Sequence, residues 1–368
     1  MIITQLKIKN FRNYENCILN LDKGIHFIVG KNGQGKTNLL ESIYYLSCTR
    51  SHRTMNQSDL IRKESPFFML EAMIEKKGRK ENIRCVVNEK GKNLYFYQTP
   101  VKKVSDFIGT LNAVMFDPSD MFLFESSPKN RRFFIDLELG KISRSYTGTL
   151  NTYYHLLKER NTCLKMENIN FDYLSVLENQ MIESQVTIIE QRQKFVNDII
   201  NNSTYFYQKL SNDDTKISCI YQSFVPLDDK KTMIDAMKQR YKKNKERDLL
   251  YKTSNGGIHR DDFIFLLNGE EISSFASQGQ KRSVLLSLKL GIAKTIFLLT
   301  KSFPILLFDD VFSELDENRR NRLLLLLNEE IKENQVFISS TDKIKLNKKS
   351  IHYWIVNDGN IKRMKEDE

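Results

Sequence analysis

The sequence predicts an α/β fold that is interrupted by a helical insertion. Short apolar segments with the spacing of β-strands lie towards both ends of the 368-residue chain. Between them, from about residue 119 to residue 252, apolar side chains recur with helical spacing instead. We therefore expect residues 1–118 and 253–368 to form one discontinuous α/β lobe, and residues 119–252 to form a helical lobe.

The N-terminal part of the α/β lobe has the pattern of antiparallel strands. Apolar and charged side chains alternate over residues 2–11, and after a turn a second strand follows at residues 17–21. This predicts a hairpin. Further short strands are predicted at residues 68–74, 83–87, 94–97 and 113–116.

The insertion has the pattern of packed helices. An apolar stripe that includes Ser184 runs through residues 174–199. We interpret it as ordinary helix packing and not as a coiled-coil seam. Residues 213–216 and 228–231 are predicted to be polar loops. Residues 234–250 are rich in lysine and predict a solvated helix.

The C-terminal part returns to alternating strands and helices. A fully apolar strand is expected at residues 304–308, just before two aspartates. The other predicted elements are a strand at residues 263–267, a helix from Gly279, a helix at residues 319–331, and strands at residues 335–340 and 351–356.

The composition favours an acidic partner. The formal net charge is +11 and the isoelectric point is about 9.2, which most simply indicates binding to nucleic acid and less simply to a membrane surface. A proteome that is rich in lysine throughout is the alternative explanation.

Cysteine usage and hydropathy indicate a cytoplasmic protein. The five cysteines are scattered without a C-x-x-C pair, which argues against a disulfide framework or a cysteine zinc site. The five histidines are dispersed, so no histidine-rich metal cluster is expected. There is no secretion signal and no uninterrupted apolar run of about 18 residues, so we expect no membrane partner.

One glycine-rich stretch fits the phosphate-binding pattern Gly-x-x-x-x-Gly-Lys-[Ser/Thr]. It consists of Gly30, Lys31, Asn32, Gly33, Gln34, Gly35, Lys36 and Thr37. Backbone N–H groups of such a loop surround the phosphates of ATP. Lys36 is placed to neutralise the β- and γ-phosphates, and the Thr37 hydroxyl is placed to ligate Mg²⁺. An apolar strand before the loop and a helix after it favour this interpretation over a simple glycine-rich turn.

Two aspartates provide the second half of a nucleotide site. Asp309 and Asp310 follow directly after the apolar strand, where Asp309 can hold Mg²⁺ directly or through water. Asp310 could polarise the attacking water. The alternative is an acidic turn that ends a core strand.

Another candidate anion site lies at the start of a long amphipathic helix. Ser277, Gly279 and Gln280 offer a hydroxyl and backbone N–H groups at a helix N-terminus, although a simple N-cap would have the same pattern. The order of phosphate loop, insertion, Ser-x-Gly-Gln helix and acidic strand is the layout of ABC-type ATPases. Residues 313–316 then match the D-loop of those proteins.

Several motifs together resemble the RecF family of bacterial recombination and repair ATPases, which are related to SMC-type heads. The matching stretches are residues 10–14, 30–37, 51–54, 116–120, 131–136, 160–161, 164–165, 259–262, 275–280 and 309–316. The resemblance covers essentially the whole chain. It implies an ABC-type P-loop ATPase head with an inserted helical lobe and no long coiled coil.

The resemblance implies that ATP and Mg²⁺ control a head-to-head homodimer. In the mechanism we favour, one chain binds ATP with its phosphate loop, Asp309 and Asp310. A second copy brings Ser277 and Gly279 to the γ-phosphate. Thr341-Asp342 stands where many ABC proteins carry a switch histidine, so we expect a weak, DNA-stimulated ATPase with slow hydrolysis.

The expected partner is single-stranded or duplex DNA, bound without sequence preference. The candidate DNA-facing residues are Arg50, His52, Arg53, Arg131, Arg132 and Arg160. Family resemblance implies a role at single-strand gaps in the repair of DNA damage, during replication and the SOS response. There RecO and RecR would help to load RecA, and the protein would be associated with the nucleoid.

Two other classes of protein share part of this pattern. The nucleotide-binding subunit of an ABC transporter has the same motif order, but it usually carries a Leu-Ser-Gly-Gly-Gln signature and a switch histidine, which this sequence lacks. A structural chromosome protein would need an insertion with hundreds of heptad residues.

Overall fold

The computed structural model describes residues 1–330, 335–341 and 351–364. The chain divides into two compact units. The first contains Met1–Asp120, Tyr205–Asp214 and Arg282–Glu368, and the second contains Met121–Thr204 and Thr215–Lys281. Ile331, at the end of a predicted helix, and Asp342 lie outside the described residues.

The strands and helices are numbered in chain order. Strands β1 to β15 are Ile2–Phe11, Tyr14–Asn20, Gly24–Val29, Phe67–Lys76, Arg79–Asn88, Gly91–Phe96, Thr99–Pro100, Ala113–Phe116, Ile217–Gln222, Asp262–Leu267, Glu270–Glu271, Ile305–Phe308, Gln335–Ser340, Ile351–Asn357 and Asn360–Arg363. Helices α1 to α9 are Lys36–Cys48, Val104–Phe107, Pro128–Gly140, Arg144–Cys163, Phe171–Ser211, Lys230–Tyr251, Ile272–Phe275, Gln278–Thr300 and Glu317–Glu330.

A six-stranded sheet in the order β15-β14-β3-β13-β12-β8 organises the first unit. Five of these strands run parallel, and β15 pairs antiparallel with β14 at one edge. Every residue of β8 and β12 is buried, as expected for strands that are covered on both faces. The carboxyl ends of β3, β8, β12 and β13 therefore meet at one edge of the sheet, which is where ligands bind in open α/β folds.

A second sheet and helix α1 also contribute to the core of the first unit. The antiparallel sheet has the order β2-β1-β4-β5-β6-β7, and alternate residues of β4 are buried. Helix α1 contacts strands of both sheets. Leu39, Leu40, Ile43 and Leu46 are fully buried, as expected of a helix that is covered all round.

The second unit combines helices with a small sheet of order β11-β10-β9. The apolar stripe predicted for residues 174–199 lies on the single long helix α5, and its apolar members are buried. Strand β9 was not predicted, because the segment is short and lies between two predicted polar loops. Only Ile217 and Tyr221 of this strand are buried.

The pairing of β9 with β10 also changes the predicted division of the chain. The sequence pattern placed residues 253–281 in the α/β lobe, but they belong to the second unit. Each residue of β10 pairs with one residue of β9, from Asp262 opposite Gln222 to Leu267 opposite Ile217. Local periodicity cannot report this pairing, because its partners are far apart in sequence.

Helix α8 is long and apolar enough to cross a membrane by length and composition alone. In its most apolar window of 18 residues, 72% is buried inside the structure, as in a core helix. The sequence analysis predicted this helix but did not note its span-like composition, because it considered only uninterrupted apolar runs.

Candidate functional site

The phosphate-binding loop joins the end of β3 to the start of α1. Gly33 and Gly35 have φ angles of 80° and 116°, which L side chains rarely adopt. A Cβ atom on Gly35 would lie 2.7 Å from Asn13 Nδ2, and one on Gly30 would lie 2.4 Å from the Val356 carbonyl oxygen. These glycines are therefore required by backbone conformation and by close packing.

Two neighbouring turns hold the loop through Gln34 and Gly35. From the β1–β2 turn, Asn13 Nδ2 donates to the Gln34 carbonyl at 2.9 Å, and the Tyr14 hydroxyl donates to the Gly35 carbonyl at 3.0 Å. From the β14–β15 turn, the Asp358 amide donates to Gln34 Oε1 at 2.6 Å. These contacts give a role to residues 10–14, which sequence reasoning had noted only as a family motif.

Lys36 is buried at the first position of α1, while Lys31, Asn32 and Gly33 are exposed. Its ammonium donates to the carbonyls of Gly30 at 2.7 Å and Lys31 at 3.2 Å. The charged group is thus held against the loop itself. A phosphate within the loop would offer this ammonium a stronger, charge-assisted partner.

Thr37 and Asp309 meet at the carboxyl edge of the parallel sheet. Thr37 Oγ1 donates to Asp309 Oδ1 at 3.0 Å, and Ser339 Oγ donates to the same oxygen at 2.7 Å. Burial raises the pKa of Asp309 against the effect of these two hydroxyls, and the nearby charges of Asp310 and Asp117 raise it further. The ionised form of Asp309 is disfavoured in these surroundings, and a bound cation would offset this. The Thr37 hydroxyl and the Asp309 carboxylate together offer the oxygen ligands that Mg²⁺ takes.

Asp310 follows Asp309 in the left-handed conformation, with a φ angle of 49°. Its amide donates to Ser339 Oγ at 2.8 Å, and its carbonyl accepts from Ser313 Oγ at 2.6 Å. Ser339 therefore links both aspartates to β13. Sequence reasoning missed Ser339, because its role depends on the order of strands in the sheet.

Ser277 and Gln280 form a reciprocal cap at the start of α8, in the second unit. Gln280 N donates to Ser277 Oγ at 3.2 Å, and Ser277 N donates to Gln280 Oε1 at 2.9 Å. Both residues are exposed and Gly279 is half-buried. The N-cap that the sequence left as an alternative is thus present, and it leaves the Ser277 side chain at the surface.

Arg160 is a correction to the predicted DNA-facing set. Only 1% of its side chain is exposed. It contacts Asp248 at 2.9 Å, Glu178 at 2.7 Å and Ser254 at 2.7 Å. A buried guanidinium with three partners stabilises the second unit and does not reach a DNA phosphate.

The other arginine candidates differ in their exposure to solvent. Arg131 makes a bidentate ion pair with Asp262, and Arg132 donates to the Asp261 carbonyl. Arg50 and Arg53 are exposed near the end of α1.

Residues 51–54 support α1 through a buried carboxylate. Arg12 makes a bidentate ion pair with Glu41, at 2.8 and 2.9 Å, and Ser51 Oγ donates to Glu41 at 2.5 Å. Burial alone would raise the pKa of Glu41, but these hydrogen bonds outweigh it and lower the pKa. Arg53 lies 3.7 Å from the same carboxylate. In the sequence, residues 10–14 and 51–54 stood out only as family motifs, and Glu41 was not singled out.

His52 and Asp117 lie next to Asp309. His52 Nε2 is 3.3 Å from Asp117 Oδ2. Although burial raises the pKa of Asp117, the nearby His52 ring and the hydroxyl and amide of Ser119 lower it to about 2. His52 is only 10% exposed, so it is not well placed to contact DNA. Sequence reasoning did not assign Asp117, which directly follows β8.

Comparisons with known proteins identify the family of the chain. The family model described as RecF/RecN/SMC N terminal domain matches residues 2–362. A curated relative, the "DNA replication and repair protein RecF" of Streptococcus gordonii, is 38% identical over 365 residues, which cover 98% of this chain and 100% of the relative.

Solved structures show the same fold. The structure of the recombination mediator protein RecF-ATP in the RecFOR pathway has a TM-score of 0.91 and 28% identity, and covers 99% of this chain and 97% of its own. An Smc head domain from Pyrococcus furiosus, at 19% identity, has a TM-score of 0.56, and the match covers 98% of this chain and 95% of the Smc chain. The predicted ABC-type ATPase head is confirmed, and the chain belongs to the RecF family within the RecF/RecN/SMC group.

Proposed function

We propose that this chain is an ATP-dependent DNA-binding protein of DNA replication and recombinational repair. The observation that carries the proposal is the convergence of Lys36, Thr37 and Asp309 at the carboxyl edge of the parallel sheet. The printed names of its relatives, a replication and repair protein and a RecF–ATP structure, support the same role and support ATP as the ligand.

Each residue of the nucleotide site has a proposed role. The loop amides and Lys36 bind the β- and γ-phosphates, and Lys36 exchanges its loop carbonyls for phosphate oxygens. Thr37 and Asp309 would hold Mg²⁺, which neutralises phosphate charge when bound. Asp310 orients the attacking water.

We further propose that the site is completed by a second copy of the chain. Ser277, Gly279 and Gln280 of that copy contact the γ-phosphate in a head-to-head dimer. Their position at the N-terminus of the 23-residue helix α8, with Ser277 and Gln280 exposed, supports this role. Loss of the γ-phosphate by slow hydrolysis then weakens the interface and releases DNA.

The proposed DNA contacts are electrostatic. The net charge of +11 and the exposed Arg50 and Arg53 support binding to DNA phosphates, with Arg131 and Arg132 as secondary candidates. By family resemblance, the protein binds single-stranded and duplex DNA, acts at single-strand gaps, and assists RecO and RecR in loading RecA. We expect it in the cytoplasm, in association with the nucleoid. The full-length similarity to RecF proteins favours this function over a transporter subunit.

DNA binding with and without nucleotide tests the proposal. Fluorescence anisotropy of labelled gapped DNA should show tighter binding when ATP and Mg²⁺ are present. Lys36→Ala should remove this ATP effect, whereas Lys158→Ala should keep it, because Lys158 is exposed and lies outside the phosphate-binding loop. Equal DNA binding with and without ATP by the unmodified chain would contradict the proposal.

A further inference from the structure

Three residues from separate parts of the chain converge beside the nucleotide site. Asp117 and Asp309 follow β8 and β12, which pair in parallel with Phe116 opposite Phe308. His52 comes from the segment after α1. One potential ligand atom from each of His52, Asp117 and Asp309 lies within 4.8 Å of the other two.

The His52 ring lacks the hydrogen bonds that a buried imidazole needs. Its side chain is 10% exposed, and neither ring nitrogen has a hydrogen-bond partner among the residues that the structure describes. The 3.3 Å approach of Nε2 to Asp117 Oδ2 is an ion-pair contact without hydrogen-bond geometry. Buried unsatisfied polar groups are rare and costly, so this ring calls for a partner.

The two carboxylates are already oriented by their own hydrogen bonds. Asp309 Oδ1 accepts from Thr37 and Ser339, and Asp117 Oδ1 accepts from the amide and hydroxyl of Ser119. Asp117 therefore turns Oδ2 towards His52. Ligand oxygens of the two carboxylates lie within 4.8 Å of each other, and a cation between them would relieve their mutual repulsion.

We propose that His52, Asp117 and Asp309 bind a first-row transition-metal cation, with Zn²⁺ as the best fit. The donor set is one imidazole nitrogen and two carboxylate oxygens, whereas Mg²⁺ takes oxygen ligands. Two ligands of a tetrahedral Zn²⁺ are separated by about 3.3 Å for metal–ligand distances near 2.0–2.1 Å, similar to the separation of His52 Nε2 and Asp117 Oδ2. Three protein ligands leave one position open for water or an anion.

This site goes beyond the proposed ATP site, because it requires neither nucleotide nor a second copy. It shares Asp309 with the expected Mg²⁺ position but differs from it in His52 and Asp117. The sequence argued only against cysteine and histidine-rich clusters. Residues 52, 117 and 309 are far apart in the chain, so no short sequence motif could have revealed this site.

Cobalt binding tests the proposal directly. The full chain, stripped with EDTA and free of nucleotide, is titrated with Co²⁺, whose visible absorption reports coordination number and nitrogen ligation. We expect one Co²⁺ per chain with a four- or five-coordinate spectrum, displaced by Zn²⁺ and retained in excess Mg²⁺. His52→Gln and Asp117→Asn should each weaken Co²⁺ binding by about tenfold or more.

A matched control separates this site from surface binding. His155 is exposed and lies 3.7 Å from Glu159, so it could bind a metal adventitiously. His155→Gln should leave the Co²⁺ affinity unchanged. Unchanged affinity in Asp117→Asn, or loss of binding in His155→Gln alone, would overturn the proposal. If His52→Gln does not fold, the near-isosteric Asp117→Asn decides the outcome.

Discussion

Thr37 donates a hydrogen bond of 3.0 Å to Asp309, although the two residues are 272 positions apart in the chain. This contact joins the phosphate loop to the acidic strand. It depends on the sheet order, since β13 lies between β3 and β12 and contributes Ser339 to the same carboxylate. The proposed binding of Mg²⁺ and ATP depends on this contact between the phosphate loop and the acidic strand.

The first prediction concerns the charge on Asp309. Burial and the neighbouring carboxylates raise its pKa in the folded chain. A carboxylate whose folded pKa is raised favours folding at low pH and opposes it as the pH rises above the unfolded pKa of about 3.9. Asp309→Asn should therefore raise the thermal unfolding temperature at pH 7 in EDTA, and the difference should shrink on acidification.

Asp214→Asn is the control for that measurement, because Asp214 is exposed. It should leave the unfolding temperature nearly unchanged. A lower unfolding temperature for Asp309→Asn at neutral pH, without metal, would mean that the ionised carboxylate stabilises the fold.

The second prediction concerns the Arg12–Glu41 ion pair. Glu41 has no exposed side-chain surface, so Arg12→Ala leaves a buried carboxylate with weaker partners. We expect a loss of about 3 kcal/mol in the free energy of unfolding, measured with urea. Because the pKa of Glu41 is lowered, the contribution is present above the unfolded pKa of about 4.3 and is lost as the pH falls further.

An exposed ion pair provides the comparison. Arg62 lies 3.1 Å from Glu15, whose side chain is 75% exposed. Arg62→Ala should cost less than about 1 kcal/mol. Equal losses in Arg12→Ala and Arg62→Ala would show that burial of Glu41 does not determine the effect.

The third prediction follows from the correction to Arg160. Arg160→Ala leaves Asp248 buried without its ion-pair partner and should lower the free energy of unfolding by about 3–5 kcal/mol. Lys158→Ala, at an exposed position of the same helix, should change it by less than about 0.5 kcal/mol. Circular dichroism during urea unfolding measures both. A small loss for Arg160→Ala would return this residue to the functional candidates.

The fourth prediction concerns DNA binding. If Arg50 and Arg53 each neutralise one phosphate, the double variant Arg50→Ala/Arg53→Ala should bind DNA more weakly whatever the sequence of the DNA. The slope of log affinity against log salt should become less negative by about 2. Lys158→Ala should leave the slope unchanged. The same salt slope in the double variant and the unmodified chain would remove both arginines from the interface.

Local sequence patterns predicted the phosphate loop, the acidic strand and the long helices, because each depends on adjacent residues. Strand β9 and the membership of residues 253–281 were not predicted correctly, since both depend on pairing with a distant strand. Asp117 and Ser339 were missed for the same reason. Arg160 was assigned to DNA because sequence alone does not report burial. A charged residue in a motif can form buried ion pairs in the core instead of binding a ligand.

Sedimentation equilibrium with and without ATP and Mg²⁺ tests the ATP-gated dimer most directly. The account predicts a monomer without nucleotide and a dimer at saturating ATP. Ser277→Arg should block dimerisation while it retains ATP binding, and Ser274→Arg, at a nearby exposed position, should still dimerise. A chain that stays monomeric at saturating ATP and Mg²⁺ would contradict the shared site.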